Sequence, residues 1–312
     1  MPAAKVAIFA EKLDWHARRL KNAFAHLGAD VRCMPLASCG FRVGLGGPGI
    51  TLPKFEDQLP AAVIVKTVAT GSFEQVTMRL GVLHGLRELG VQVINDARAI
   101  ERCVDKSMTS FLLGQHDIPT PPTWAIESPA AAKAIVRSEA RPGRPLVLKP
   151  LFGSQGRGLK LIERLRDLPP SEEAQGVFYL QRYVTGPTAG WRDWRVFVIG
   201  GRAVGAMIRH GVQWRTNAAQ GARCQAVPAV GEIRDLAIRA TSAIGADYAG
   251  VDIIQDRTGR YLVLEVNSMP AWRALQTATG IDIAGNLAGH VMAKFAGEKR
   301  RGPSAAERSL TR

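Results

Sequence analysis

The segment Tyr261-Leu262-Val263-Leu264-Glu265-Val266-Asn267 begins as a buried strand and ends with a carboxylate and an amide two residues apart. Side chains alternate along a strand, so Glu265 and Asn267 share one face while Leu264 and Val266 take the other. Upstream, Gly250 to Gln255 reads as the partner strand of a hairpin closed by the turn Asp256-Arg257-Thr258-Gly259. Pairing Gln255 with Arg260 across that turn sets Asp252 opposite Val263 and diagonal to Glu265, on the same face. Two carboxylates and an amide oxygen suit a hard cation, and magnesium takes few protein ligands and completes its shell with water and phosphate. Taken singly, each of the three is better read as a solvent-facing strand end. Together they favour a metal, because clustered unpaired carboxylates repel. Asp252, Glu265 and Asn267 are therefore the candidate ligands of Mg2+, with Mn2+ as the alternative ion.

A second group supplies positive charge. Lys149-Pro150-Leu151-Phe152-Gly153-Ser154-Gln155-Gly156-Arg157-Gly158 follows a strand, and its glycines let backbone N–H groups turn toward an anion with Lys149 at the base. Another strand, Leu159 to Ile162, comes next, so the stretch is a flap between strands rather than a Walker loop, which opens into a helix. Lys106, just upstream of a helix, can meet the same anion, or can simply be an exposed lysine. Arg215, in Trp214-Arg215-Thr216-Asn217, sits in a loop rich in Gly, Ala and Gln; it suits a transferring phosphoryl or a developing oxyanion, with solvent exposure as the bland alternative.

A chain of 312 residues with 46% hydrophobic content is long enough for two domains. Its apolar runs, such as Ala61 to Val65, are strand-length, and no charged-then-apolar signal opens it, so a soluble cytoplasmic protein without membrane contact is expected. The four cysteines, Cys33, Cys39, Cys103 and Cys224, lack zinc-finger or disulfide spacing. A formal net charge of +14 suits nucleotide phosphates and polycarboxylates as well as nucleic acid, and with no recognition motif beside the basic residues nucleic acid is the minority reading.

Strands at Val6–Phe9, Val31–Met34, Ala62–Lys66 and Val91–Ile94 alternate with helices that start after Asp14 and at Phe73, which predicts a parallel sheet over roughly residues 1–97. Gly44-Leu45-Gly46-Gly47-Pro48-Gly49 resembles a dinucleotide fingerprint, but it does not join a strand to a helix and reads as a loop. A helix over Ser107–Gln115, a proline-extended segment, and a helix near Ala130–Glu139 lead into the strand Leu146–Lys149. From Val177 onward the pattern is β-rich, with Phe178–Val184, the hairpin Trp194–Ile199 and Arg202–Ile208, a helix over Ile233–Ile244, and the metal-bearing hairpin. The basic segment after Gly297 has no apolar period and reads as a disordered tail.

These pieces in this order resemble the ATP-grasp superfamily, most closely its RimK-like branch of ribosomal protein S6 modification and α-L-glutamate ligases. The matching stretches are Asp105-Lys106-Ser107 with Ile118-Pro119-Thr120-Pro121, the Lys149 to Gly158 flap, Leu180-Gln181-Arg182-Tyr183-Val184, Asp193-Trp194-Arg195, Arg215-Thr216-Asn217, Ala249-Gly250-Val251-Asp252, Glu265-Val266-Asn267 and Thr279 to Ala284. The resemblance covers roughly residues 98–295. It implies a mixed α/β and α+β chain: an N-terminal parallel-sheet (pre-ATP-grasp) domain over 1–97 on the substrate side, a small ATP-grasp lobe with the flap over 98–184, a C-terminal lobe with the metal site over 185–297, and the tail 298–312. It further implies ATP with Lys106 and Lys149 on its phosphates, Gly153, Ser154, Gln155 and Gly156 closing over them, and Gln181, Arg182, Tyr183 and Val184 at the adenine linker. Asp193 falls near the ribose, and Arg215 and Asn217 near the γ-phosphate and the acyl group; Arg215, Asn217 and Lys149 are the expected catalytic residues.

The family joins a carboxylate to an amine through an acyl phosphate, chemistry that needs positioning and charge neutralisation more than a protein nucleophile. The linker carries Arg182 where relatives commonly have an acidic residue. The loop Ala218-Ala219-Gln220-Gly221-Ala222-Arg223 also departs from the ribosomal-protein-modifying pattern, where the acceptor should bind. The expected reaction is addition of glutamate or another amino acid to a small cofactor-like acid such as a pterin. The alternatives are modification of a protein C-terminus and a non-catalytic nucleotide- or nucleic-acid-binding module. Members of the family often form homo-oligomers.

Overall fold

The computed structural model describes residues 3–56, 58–153, 156–187, 190–216 and 221–301. The expected site residues Ser154, Gln155 and Asn217, and the tail from 302, lie outside them. The chain divides into two compact units, 1–97 with 282–312, and 98–281.

The first unit contains β1 (Lys5–Phe9), α1 (Trp15–His26), β2 (Asp30–Met34), the short pair β3 (Gly40–Phe41) and β4 (Ile50–Thr51), β5 (Ala62–Val65), α2 (Phe73–Glu88) and β6 (Gln92–Ile94). Its sheet has the order β2-β1-β5-β6, and every neighbouring pair is parallel. Local chemistry sets the helix ends: the Asp14 carboxylate accepts from the Ala17 amide at 2.8 Å, and Ser72 with Gln75 forms a reciprocal capping box. The Gly40–Pro53 loop expected from sequence carries the β3–β4 hairpin.

The second unit contains most of α3 (Ala97–Val104), then α4 (Lys106–Gln115), β7 (Thr123–Ile126), α5 (Pro129–Glu139), β8 (Leu146–Lys149), β9 (Lys160–Ile162), β10 (Phe178–Arg182), β11 (Trp191–Ile199), β12 (Arg202–Gly211), β13 (Arg223–Val227), α6 (Gly231–Ile244), β14 (Tyr248–Gln255), β15 (Tyr261–Asn267) and α7 (Arg273–Thr279). The last helix, α8 (Ile283–Arg301), groups with the first unit, whereas the sequence reading ran the C-terminal lobe on to 297 and began a disordered tail at 298. Leu287, Ala288 and Val291 are fully buried on α8, and burying that face within the first unit is what holds the helix there. Among the described residues no helix is long and apolar enough to cross a membrane.

Two antiparallel sheets build the second unit, β7-β10-β8-β9 and β13-β12-β11-β14-β15. Ala132 and Val136 of α5 pack on Leu146, Leu148, Phe178 and Leu180 of the smaller sheet. Leu236, Ala237, Ala240 and Ile244 of α6 pack on Trp194, Val196, Val198, Val251 and Ile253 of the larger one. Because residues alternate, the other face of the larger sheet receives Asp193, Arg195, Arg209, Asp252, Glu265 and Asn267. One face makes the core and the opposite face makes the site.

The β14–β15 hairpin corrects the expected register. The turn is one residue longer, so Gln255 pairs with Tyr261 and Ile253 with Val263. A β-bulge at Leu264 then brings Asp252 directly opposite Glu265. A one-residue slip turns side chains to the opposite face; two slips cancel, and Glu265 returns to the face of Asp252. The bulge also brings Leu264 onto the cavity wall beside Glu265, not onto the opposite face as strict alternation predicted.

Gly250 makes this packing possible. A Cβ built there would stand 2.9 Å from Pro270 Cβ and 3.1 Å from Arg195 Cδ. Gly250→Ala is expected to cost about 1–3 kcal/mol of stability through this overpacking, read as a lowered denaturant midpoint at unchanged slope.

Candidate active site

A cavity of about 450 Å³ opens between the two sheets of the second unit, within the range of about 300–1,000 Å³ typical of ligand sites. Lys149, the last residue of β8, reaches it after donating from Nζ to Gln181 Oε1 at 2.7 Å. The same amide donates from Nε2 to Thr123 Oγ1 at 3.0 Å, and Gln181 is only 2% exposed. Gln181, expected as a nucleotide contact, thus has both ends of its amide engaged, the oxygen by Lys149 and the nitrogen by Thr123. Burial pushes the Lys149 ammonium down to about 8, against the opposing pull of Glu265 and with a further push from Lys106. An unfolded lysine keeps its proton up to about 10.5, so between these values the unfolded chain binds the extra proton. Stability from this group therefore rises as pH increases through that window. Wild type is expected to gain urea resistance relative to Lys149→Met as pH is raised past about 8, measured by paired unfolding curves.

Lys106 is the first residue of α4, whose N-cap Asp105 accepts from the Ser107 amide at 2.8 Å. Its Nζ donates to the carbonyls of Leu151 (3.1 Å) and Gly153 (2.8 Å) at the root of the flap. Burial lowers its affinity for a proton, opposed by Glu265 and Asp105. Gly156 lines the cavity, and Gly158 lies at φ +72° with only 2.8 Å between a built Cβ and Pro150 Cγ, so no larger residue fits this return of the flap. Arg215 donates from Nη2 to Leu159 O at 2.7 Å and stacks on Trp214 at 5.0 Å, while its buried Nε has no partner among the described residues.

At the linker, Tyr183 packs edge-on against Trp214 with centroids 6.1 Å apart, and its hydroxyl accepts from Trp191 Nε1 at 3.0 Å. Tyr183 and Val184 line the cavity. The Arg182 side chain is bound to Glu139, with Nε donating at 2.8 Å, and lies over Trp124 at 5.9 Å. An arginine is accommodated there because its charge is answered by α5.

The charged face of the larger sheet forms a checkerboard. Asp193 on β11 faces Arg209 on β12, and Arg195 on β11 faces Asp252 on β14. Arg209 donates to both Asp193 oxygens at 2.6 Å, Arg195 binds Asp252 in bidentate fashion, and Arg209 Nη2 also lies 3.0 Å from Asp252 Oδ2. Asp193, Arg209 and Asp252 are 3%, 4% and 5% exposed. Burial pushes the Asp252 carboxyl up, but Arg195 and Arg209 outweigh it and hold the group well below the usual carboxylate range. Asp193, expected near a ribose, borders the cavity with both oxygens engaged, the second also accepting from Thr216 Oγ1 at 2.6 Å.

Glu265 stands at the other end of this row and lines the cavity with Asp252. Asn267 Nδ2 donates to Glu265 Oε1 at 3.2 Å and to Gly250 O at 3.3 Å, which leaves the amide oxygen as an acceptor. Asn267 borders a side pocket of about 30 Å³ shared with Lys106, Gly153 and Glu265. Among the described residues no three of His, Cys, Asp and Glu cluster as a self-sufficient metal cage. An all-oxygen set of carboxylates and one amide, next to cations suited to phosphate, fits a magnesium ion that takes the rest of its shell from a nucleotide.

The RimK-like ATP-grasp domain matches residues 103–291, more than half of the chain. This chain belongs to the RimK-like ATP-grasp family. A tetrahydromethanopterin:alpha-L-glutamate ligase from Methanococcus maripaludis is 36% identical over 63% of this chain and 68% of its own. A Shewanella denitrificans protein named "Probable alpha-L-glutamate ligase 2" is 32% identical over 90% of this chain and 93% of its own. The structure of ATP-grasp ligase PsnB complexed with its minimal precursor, Mg and ADP superposes with a TM-score of 0.71 at 21% identity, covering 93% of this chain and 97% of that one. The chain therefore has the ATP-grasp fold and is an ATP-dependent carbon–nitrogen ligase.

Sequence reasoning missed Arg209, Thr216, Trp191 and Trp214 as cavity residues. A signal existed for Arg209, a charge inside an apolar strand. Its meaning depends on pairing opposite Asp193, which only the register supplies.

Proposed function

We propose that this RimK-like ligase activates the carboxylate of a small cofactor-like acid, such as a pterin bearing an acidic side chain, and joins it to the amino group of glutamate. The observation that carries this reading is the convergence of Lys106, Lys149 and Arg215 with Glu265 on one cavity. A carboxylate oxygen attacks the γ-phosphorus of ATP, the bond to the β,γ-bridging oxygen breaks, and ADP leaves. The amine then attacks the acyl carbon of the resulting acyl phosphate, phosphate leaves and the nitrogen gives up a proton.

Lys149 and Lys106 neutralise phosphate charge, the flap 153–158 covers the phosphates, and Tyr183, Val184 and the backbone of Arg182 accept the adenine. Arg215, whose buried Nε lacks a partner among the described residues, and Asn217 attend the γ-phosphate and acyl oxygen. Glu265 and Asn267, with Asp252 as an oxygen donor already held by two arginines, would bind Mg2+. Bound there, the ion neutralises developing phosphate charge. Glutamate and a pterin-like acceptor are supported by the tetrahydromethanopterin-dependent relative and by the basic charge of the chain.

The test is a screen of pterin acids and amino acids for stimulated phosphate release, with mass spectrometry of the product. An amide heavier than the acid by one glutamyl residue is expected, and hydroxylamine in place of the amine should yield a hydroxamate. A stable phosphorylated product that resists hydroxylamine would replace the ligase reading with a kinase.

A further inference from the structure

The geometry points to Asp193 as a positioning residue that orients the Arg209 guanidinium toward the reacting phosphate and ties that arginine to the loop carrying Arg215. This rests on the ligase reading of the same cavity and assigns Asp193 a role other than contact with a nucleotide ribose. Three distances carry it. Arg209 Nε and Nη2 meet the two Asp193 oxygens at 2.6 Å each, and Thr216 Oγ1 donates to Oδ2 at 2.6 Å. Asp193 is 3% exposed, and three of the about four acceptor positions of its carboxylate are taken by Arg209 and Thr216.

The donor side is equally constrained. Guanidinium has five N–H hydrogens in a rigid fork. Asp193 takes those of Nε and one of Nη2, and Asp252 Oδ2 lies 3.0 Å from Nη2. Among the described residues Nη1 is the edge left for a ligand, and Arg209 lines the cavity. Two carboxylates on different strands thus fix the plane of one cation, as β11 pairs Asp193 with Arg209 and β14 supplies Asp252.

Thr216 adds the link to the loop. Its neighbour Arg215 donates to Leu159 O at the end of the flap, so Asp193 holds at once the orienting end of Arg209 and the root of the loop that reaches the flap. Losing the Asp193 charge would let Arg209 rotate onto Asp252 and would release Thr216. Alignment in the transition state suffers, while the adenine and ribose contacts do not.

The experiment combines kinetics with a signal that needs no turnover. For Asp193→Asn, kcat should fall about 30-fold while the KM for ATP changes less than about threefold, since a group that acts only through alignment affects the transition state. In an Arg209→Lys background, which retains charge but loses the fork, Asp193→Asn should cost less than about a further twofold, because the two act as a unit. By nitrogen-15 NMR of the wild-type protein, the Arg209 Nε–H should exchange with solvent far more slowly than exposed arginines, and Asp193→Asn should remove that protection. A tenfold rise in the KM for ATP at unchanged kcat would return Asp193 to the ribose. Additive losses, or a freely exchanging Arg209 Nε–H in wild type, would also overturn the proposal. Absence of turnover in wild type with every acid and amine would count against the ligase reading, and the NMR measurement would still decide on Asp193.

Discussion

Glu265→Gln is expected to lower kcat by about three orders of magnitude, close to 4 kcal/mol of transition-state stabilisation, while the folded protein keeps its thermal midpoint. The substitution keeps size and shape and can still accept from Asn267 Nδ2, which lies 3.2 Å from Oε1. What it removes is the anion at the end of the row formed with Asp252, next to Lys106 and Lys149. Asp252 does not make up the loss, because three of the about four acceptor positions of its carboxylate are taken by Arg195 and Arg209. The variant should therefore need much more Mg2+ for half-maximal rate and still fall short at saturation. Turnover equal to wild type across a magnesium titration would remove Glu265 from the site.

Arg209→Met should be the most destabilising single change in the charged face, at about 3–5 kcal/mol, because it leaves buried charge uncompensated. Arg209 serves two acids, Asp193 and Asp252, so its loss affects both. Asp252 retains Arg195, while Asp193 is left with the Thr216 hydroxyl. Arg195→Met is the informative comparison. It removes the bidentate partner of Asp252 but leaves Arg209 within 3.0 Å, so a smaller loss is expected. The Arg209→Met deficit should shrink as pH falls, since an unpaired buried carboxyl takes up a proton more readily and sheds its charge. Denaturant midpoints of the three proteins at neutral and mildly acidic pH would check both the ranking and the sign.

The elements were legible because their signals are local. Asp14 and Asp105 cap helices from within two or three residues of the amides they serve, and β8, β11 and β14 are apolar runs of strand length. Lys106, Lys149, Arg215 and Glu265 stand out by residue type and local setting, Tyr183 and Val184 follow from the family resemblance, and all six line the cavity. Among the missed elements, which also include β3, β4, α3 and α7, the strands β7 and β13 and the helix α8 are stabilised by what they pair with or pack on rather than by a pattern of their own.

Pairing across strands was beyond the reach of the sequence. Two single-residue slips in the last hairpin, in its turn and at Leu264, were both unseen and cancelled, so Asp252 and Glu265 share a face for a reason different from the one expected. The partners of Asp193, Gln181 and Arg182 were equally hidden, because Arg209, Lys149 and Glu139 lie 16, 32 and 43 residues away in sequence. By itself the sequence determined the strands and helices, the flap, and the residue types able to hold phosphate and magnesium, since propensity and alternation act over a few neighbours. Which carboxylates are claimed by arginines and which are not was decided only by the tertiary structure, because a buried charge takes its role from the groups brought against it.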